Sequence, residues 1–288
     1  MQFAIEALPG TKEASIRLNP ALPGIPHTAL FVGRTRSGKT TTAVQMYSSR
    51  KFPFKAAFGN GRNIWLLSPT HHVQEELWNR LNIPLHQRFN DYDENVLQGV
   101  IKRAEDDVAR PRRPRLIIMD DVVATLPQRR QNNLIRILTY GRHLNISCAV
   151  LVQRWSSGLS HTSKTNFTQY FLWPQNQSER RSIYEQIAGD IPRELFDRMC
   201  KQVWSKKYAF LNVDATQDEL DGKYGFSFEK KFRVVRNDAE YYEEREPEQE
   251  QGWTSTKKRK LPWPTKYQVE DHTKPSRFTK PLRDKLAG

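Results

Sequence analysis

The feature that most narrows what this chain can become is the run Gly33-Arg34-Thr35-Arg36-Ser37-Gly38-Lys39-Thr40. It is a G-x-x-x-x-G-K-T pattern between an apolar stretch, Thr28 to Val32, and a helix-forming stretch, Lys39 to Arg50. A glycine loop at a strand-to-helix junction turns successive backbone N–H groups inward at the positive end of the helix, which makes an anion cradle. Lys39 is spaced to reach the β- and γ-phosphates of a triphosphate, and the Thr40 hydroxyl to ligate Mg²⁺. Residues Gly33, Arg34, Thr35, Arg36, Ser37, Gly38, Lys39, Thr40 and Thr41 therefore read as a binding loop for ATP with Mg²⁺. A glycine turn without a ligand is the bland alternative, and the strand-then-helix setting argues against it.

A second element completes that chemistry. Leu116-Ile117-Ile118-Met119 is a buried-strand signal that ends in Asp120-Asp121. An acid emerging at the carboxyl edge of such a strand lies beside the phosphate loop and can hold a Mg²⁺-bound water, the role expected of Asp120. Asp121 is the candidate general base for an attacking water, or else an acid that caps the next helix. A third apolar run, Ala149 to Val152, ends in Gln153. Gln153 is expected between the other two strands, where it would orient water or sense the γ-phosphate; an ordinary strand-end glutamine is the alternative.

Along the chain, strand and helix signals alternate. Strand-like runs cover Asn63 to Pro69, Arg115 to Asp120, Ser147 to Gln153 and Tyr170 to Trp173. Helical spacing is expected for Val73, Leu77 and Leu81, for 96–109, for Gln128 to Arg142 and around 178–188 and 192–203. Short runs at 207–213 and 223–228 predict a terminal hairpin. This rhythm predicts an α/β fold with a mostly parallel sheet flanked by helices, of the P-loop NTPase type. Three stretches follow: an extended lead-in at 1–27, an ATPase domain at 28–235, and a tail at 236–288. In the tail, Asp238 to Glu250 holds seven acids and one Arg, and Gln251 to Gly288 holds ten Lys/Arg against three Asp/Glu. An acidic block followed by a basic one, without periodicity, reads as flexible chain.

With 46 Lys and Arg against 32 Asp and Glu, the net charge is +14. That excess makes a polyanion the expected partner and disfavours a small-molecule kinase. Arg110, Arg112, Arg113 and Arg115, with Arg129 and Arg130, form diffuse basic groups suited to sequence-independent phosphate contact. Trp253, Lys257 to Lys260, Trp263 and Tyr267 interleave aromatics with charge, as an import signal, a DNA-holding arm or a docking peptide would. Cys148 and Cys200 lack metal spacing, and no apolar run reaches 18 residues. An intracellular, reducing setting with no membrane partner is expected.

The glycine loop, the Asp120-Asp121 strand end, Ser68-Pro69-Thr70, and Thr139-Tyr140-Gly141-Arg142-His143-Leu144-Asn145-Ile146-Ser147 running on to Gln153 together resemble one group. It is the poxvirus-type genome-packaging ATPases of large DNA viruses and virophage- or polinton-like elements, within the FtsK–HerA superfamily. The resemblance spans roughly residues 28–175 and is most specific over 139–153. It implies an additional-strand, RecA/FtsK-like sheet. It also implies an ATP-driven double-stranded DNA translocase that assembles as a homo-oligomeric ring and feeds a genome into a capsid or portal, in the infected host cell or virion. By this analogy Arg142 is a candidate arginine finger or inter-subunit sensor, with Arg154 and Arg129 as rivals; a phosphate-backbone contact or a helix C-terminal cation is the bland alternative. Asp121 stands where many members carry Glu, one methylene longer.

The rival reading is a viral replicative helicase ATPase. That class expects Asn where Gln153 stands, and usually a nicking domain upstream. A GTPase would need an Asn-Lys-x-Asp motif, which is missing from this sequence. A non-enzymatic binding protein with a degenerate loop is argued against by intact Lys39, Thr40, Asp120 and Asp121.

Overall fold

A computed structural model describes residues 22–49, 52–109, 111–123, 131–217, 223–228, 230–236 and 267–271. Its strands are β1 (Thr28–Val32), β2 (Ile64–Leu67), β3 (Arg88–Phe89), β4 (Arg115–Asp120) and β5 (Ile146–Val152). They continue as β6 (Gln169–Leu172), β7 (Leu211–Asp214), β8 (Tyr224–Phe226), β9 (Lys230–Arg236) and β10 (Tyr267–Asp271). They join in one sheet in the order β10-β9-β8-β7-β6-β1-β5-β4-β2-β3. The strands from β6 through β3 in that order are parallel, and β7 to β10 extend the sheet antiparallel. The helices are α1 (Lys39–Ser48), α2 (Phe54–Ala57), α3 (Glu75–Asn79), α4 (Glu94–Glu105), α5 (Asn132–Tyr140), α6 (His161–Thr165), α7 (Gln177–Ile187) and α8 (Arg193–Trp204).

The central strands are apolar throughout because both faces of the sheet are covered. With a side-chain period of two, neighbours on one strand enter different cores. Ala29, Phe31, Leu116, Ile118, Ala149 and Leu151 pack with Val44, Tyr47, Phe54 and Trp78 from α1, α2 and α3. Leu30, Val32, Ile117, Met119, Cys148 and Val150 pack with Leu97, Ile101, Leu134, Ile137, Ile183 and Phe196 from α4, α5, α7 and α8. Cys148 and Cys200 are free and buried. Among the described residues no helix is long and apolar enough to cross a membrane.

The order β1-β5-β4 puts the Gln153 strand between the glycine-loop strand and the acidic strand, as the additional-strand arrangement requires. The predicted β7–β8 hairpin is present and antiparallel.

Several local expectations shift. The helix expected through Val73 shrinks to α3, because Val73 and Gln74 donate their N–H groups to the Thr70 carbonyl in a turn, leaving Val73 exposed. The helix expected at 96–109 starts earlier, since the Asp93 side chain accepts from Asn95 N–H at 2.7 Å and caps it. It ends at Glu105, and Asp107 then turns to serve Arg115. The helix expected to run to Arg142 stops at Tyr140. Gly141–Leu144 form a 3-10 turn closed by Asn145 at φ 54°, so Arg142 lies off the helix. The sheet runs on through β9 to Arg236. Tyr267–Asp271, inside the stretch expected to be tail, pairs antiparallel with it. The lead-in is also partly core: Leu22 and Ile25 are buried, and buried His27 bonds Tyr47 at 2.8 Å.

Candidate functional site

The glycine loop begins where β1 ends. Gly33 N–H donates to the Val152 carbonyl at 3.1 Å, which ties the loop to β5. Gly33 has to be glycine because a Cβ there would sit 2.7 Å from Trp173 Cβ and 2.8 Å from Ser37 Oγ. At the helix entrance Gly38 takes φ 95°, a left-handed turn that glycine adopts without steric cost. The loop and the first turns of α1 line a cleft of about 550 Å³, from Thr35 through Thr42 with Gln45, Gln74 and Tyr208.

The charged groups converge there. Lys39 is 6% exposed, and its Nζ donates to the carbonyls of Gly33 at 2.5 Å and Arg34 at 3.2 Å. Thr40 Oγ1 lies 3.4 and 3.3 Å from the two oxygens of Asp120, which is 3% exposed. Burial and the neighbouring Asp121 push the Asp120 carboxyl up to about 7, against the pull of Lys39 and Thr40. Burial also lowers Lys39, with Asp121 and Asp120 opposing it. Both shifts share one cause: neither charge is fully compensated where it stands.

Asp121 follows β4 at φ 57°, an uncommon conformation for a residue with a side chain, and its N–H donates to Leu151. Gln153 then bridges two elements. Its Nε2 donates to Asp121 Oδ2 at 3.2 Å, and its Oε1 accepts from Thr35 Oγ1 at 3.1 Å. This amide links the tip of the phosphate loop to the second acid. Two buried oxygens, Ser37 Oγ and Asp121 Oδ1, have no partner within the described structure. A hydroxyl, two carboxylates and unpartnered oxygens beside an ammonium fit a hard, oxygen-seeking cation bound with phosphates. Among the described residues no group of three His, Cys, Asp or Glu forms an all-protein metal centre.

Lys39, Thr40, Asp120, Asp121 and Gln153 are thus brought together with the 33–41 loop, in which Arg34, Thr35, Arg36 and Thr41 are exposed. Arg142 is not among them. It lies just before the start of β5, lining a separate cavity of about 330 Å³ with Pro26, Thr28 and Ile146. The length of β5, about 20 Å, separates it from the cleft of its own chain. Arg154 is exposed immediately after Gln153. Arg115 turns inward to Asp107 at 2.8 Å and so is not a surface phosphate contact. Arg110, Arg129, Arg130, Trp253, Lys257 to Lys260 and Trp263 lie outside the described residues. Sequence reading missed Tyr208, Gln45, Gln74 and the support from Trp173; none of these carries a local motif.

No curated protein matches this chain. Among solved structures, it is similar to the genome packaging NTPase B204 from Sulfolobus turreted icosahedral virus 2 in complex with AMPPCP. Identity is 14%, the TM-score 0.50, and 73% of this chain and 98% of that one are covered. The DNA-packaging ATPase B204 from Sulfolobus Turreted Icosahedral Virus is similar at 15% identity and TM-score 0.50, over 70% of this chain and 97% of that one. At such identity the likeness is one of fold. The sequence model described as Poxvirus A32 protein matches residues 21–188, well over half of the chain, from the end of the lead-in through α7. The chain belongs to the Poxvirus A32 protein family.

Proposed function

We propose that this protein is a Mg²⁺-dependent ATPase that drives double-stranded DNA into a viral capsid. The observation that carries the reading is the meeting of Lys39, Thr40 and an uncompensated Asp120 at the mouth of the glycine loop. Family membership supplies the packaging context.

In this reading the N–H groups of the 33–41 loop bind the β- and γ-phosphates, and the Lys39 ammonium leaves its loop carbonyls to neutralise them. Thr40 and Asp120 would hold Mg²⁺, which would supply charge neutralisation on the phosphate oxygens when bound. Asp121 accepts the proton of the attacking water. Gln153 holds Asp121 in place and reads the loop through Thr35, so a change at the γ-phosphate is felt at the base. Arg142 reaches a γ-phosphate only if it belongs to a neighbouring subunit, which accords with a ring of copies. Exposed Arg113 and the +14 net charge suit contact with a DNA backbone.

The test is steady-state ATP hydrolysis by the full chain with duplex DNA, single-stranded DNA or none. Duplex DNA is expected to stimulate turnover, less so as salt rises, and Lys39→Ala to abolish it. Stimulation by single strands alone, with strand separation, would replace this reading with the helicase.

A further inference from the structure

A phosphate cradle does not by itself hold a nucleoside. Beyond the glycine loop and α1, the cleft is lined by Gln74 and Tyr208. Tyr208 lies between α8 and β7 and borders the same cleft as Thr41, Thr42 and Gln45. Its ring stands over the start of α1: a Cβ placed on Gly38 would lie 3.6 Å from Tyr208 Cδ1. The side chain is 59% exposed, one of few large aromatics among the described residues left so open.

The backbone holds it there against its preference. Tyr208 takes φ 64°, a left-handed conformation that a ring-bearing residue rarely adopts, and such outliers persist where surrounding structure fixes them. Two indoles do so. Trp173 Nε1 donates to the Tyr208 carbonyl at 3.1 Å, and Trp204 Nε1 donates to the Leu172 carbonyl at 2.9 Å. The segment that carries Tyr208 is thereby tied to the end of β6, the strand beside β1. Trp173 is also the side chain that packs against Gly33, so one indole fixes the loop and the tyrosine relative to each other. The Lys207 ammonium lies over the Tyr208 ring, 4.9 Å from its centroid. The Tyr208 ring itself takes no part in either core cluster.

We propose that Tyr208 is the platform on which the base of the bound nucleotide stacks, on the ring face away from Lys207. A rigid aromatic held at a phosphate cleft suits this role, because every nucleobase offers a π-face and stacking needs no hydrogen-bond match. The proposal rests on the nucleotide-binding reading above and adds to it the group that recognises the nucleoside.

The experiment measures binding of Mg²⁺·ATP and of Mg²⁺ with inorganic tripolyphosphate, which has no base, to the full chain. The wild type is expected to bind ATP at least several-fold tighter than tripolyphosphate. Tyr208→Ala is expected to weaken ATP by about 10-fold and to leave tripolyphosphate within about twofold; Tyr208→Phe, which keeps the ring, is expected to hold the wild-type affinity for both. Equal losses for the two ligands in Tyr208→Ala would show that the residue only props the loop, and would overturn the proposal. Unchanged ATP affinity would overturn it as well. A wild type that binds tripolyphosphate but prefers ATP no more overturns the platform alone, whereas one that binds neither ligand overturns the nucleotide site with it.

Discussion

The two ends of β4 carry two buried charges in opposite conditions. At its start, Arg115 is 8% exposed and donates to Asp107 at 2.8 Å and to the carbonyls of Arg113 and Arg103. Burial alone would push the Asp107 carboxyl up. The bonds from Arg115, Ala109 N–H and Arg113 N–H outweigh it and hold the group down at about 2. About 16 Å along the strand, Asp120 has a weakly placed hydroxyl for company and is pushed up to about 7. The same strand thus buries one charge whose partners are all present and one whose partners are not. A fully partnered pair serves the fold; on the proposed function, the uncompensated carboxylate beside the glycine loop would take a cation that arrives with the substrate.

That contrast can be broken by substitution at either end. Asp120→Asn is expected to lower ATP turnover by about 100-fold or more, the several kcal/mol that a positioned metal supplies. Its fold should survive, which circular dichroism would check. Gln153→Ala, which cuts the link from Thr35 to Asp121, is expected to lower kcat by about 10-fold with little change in ATP affinity. Full activity in that variant would reduce Gln153 to a strand-end residue. At the other end, Asp107→Asn is expected to leave ATP affinity unchanged and to cost about 3 kcal/mol of stability in urea, because it strands a buried guanidinium. If Asp107→Asn impaired turnover without destabilising, the division between the two ends would be wrong.

The two carboxyls also answer oppositely to pH. The folded Asp120 carboxyl lies above its unfolded value of 3.8, so its ionisation opposes folding. That penalty grows as pH rises from 4 to 7. The folded Asp107 carboxyl lies below 3.8; its stabilisation is in place above that pH and is lost as pH falls towards 2. In chelator and without nucleotide, Asp120→Asn should therefore gain about 2 kcal/mol relative to wild type between pH 5 and pH 8. Asp107→Asn should show no such gain over that range. Parallel urea-midpoint curves for wild type and Asp120→Asn would show that Asp120 is already compensated.

The expected site residues that the fold brings side by side are those whose signals are local. Gly33 to Thr40 carry their own turn and helix start. Asp120 and Gln153 each close an uninterrupted apolar run, and β-strand period and sheet order then bring them side by side. Arg142 was harder to place because the helix pattern through it continues on paper. The chain instead breaks at Gly141, where a Cβ would crowd the Ile146 carbonyl at 3.2 Å, and winds into a 3-10 turn. Tyr208 had no signal at all. It is set by two indole hydrogen bonds to residues over thirty positions away and by a backbone angle that its residue type disfavours. The strand at Tyr267–Asp271 was hidden by flanking charge and is visible only through its pairing with β9.

On the proposed function, Asp120 stands uncompensated so that it can receive the Mg²⁺ of a bound triphosphate. Calorimetric titration of ATP into wild type and Asp120→Asn, each with Mg²⁺ and with chelator, tests it directly. Mg²⁺ is expected to tighten ATP binding about 10-fold or more in the wild type and to have little effect in the variant, the size expected when a metal's protein partner is lost. An equal Mg²⁺ dependence in both proteins would mean that the ion binds the nucleotide without Asp120, and the account of this site would fail.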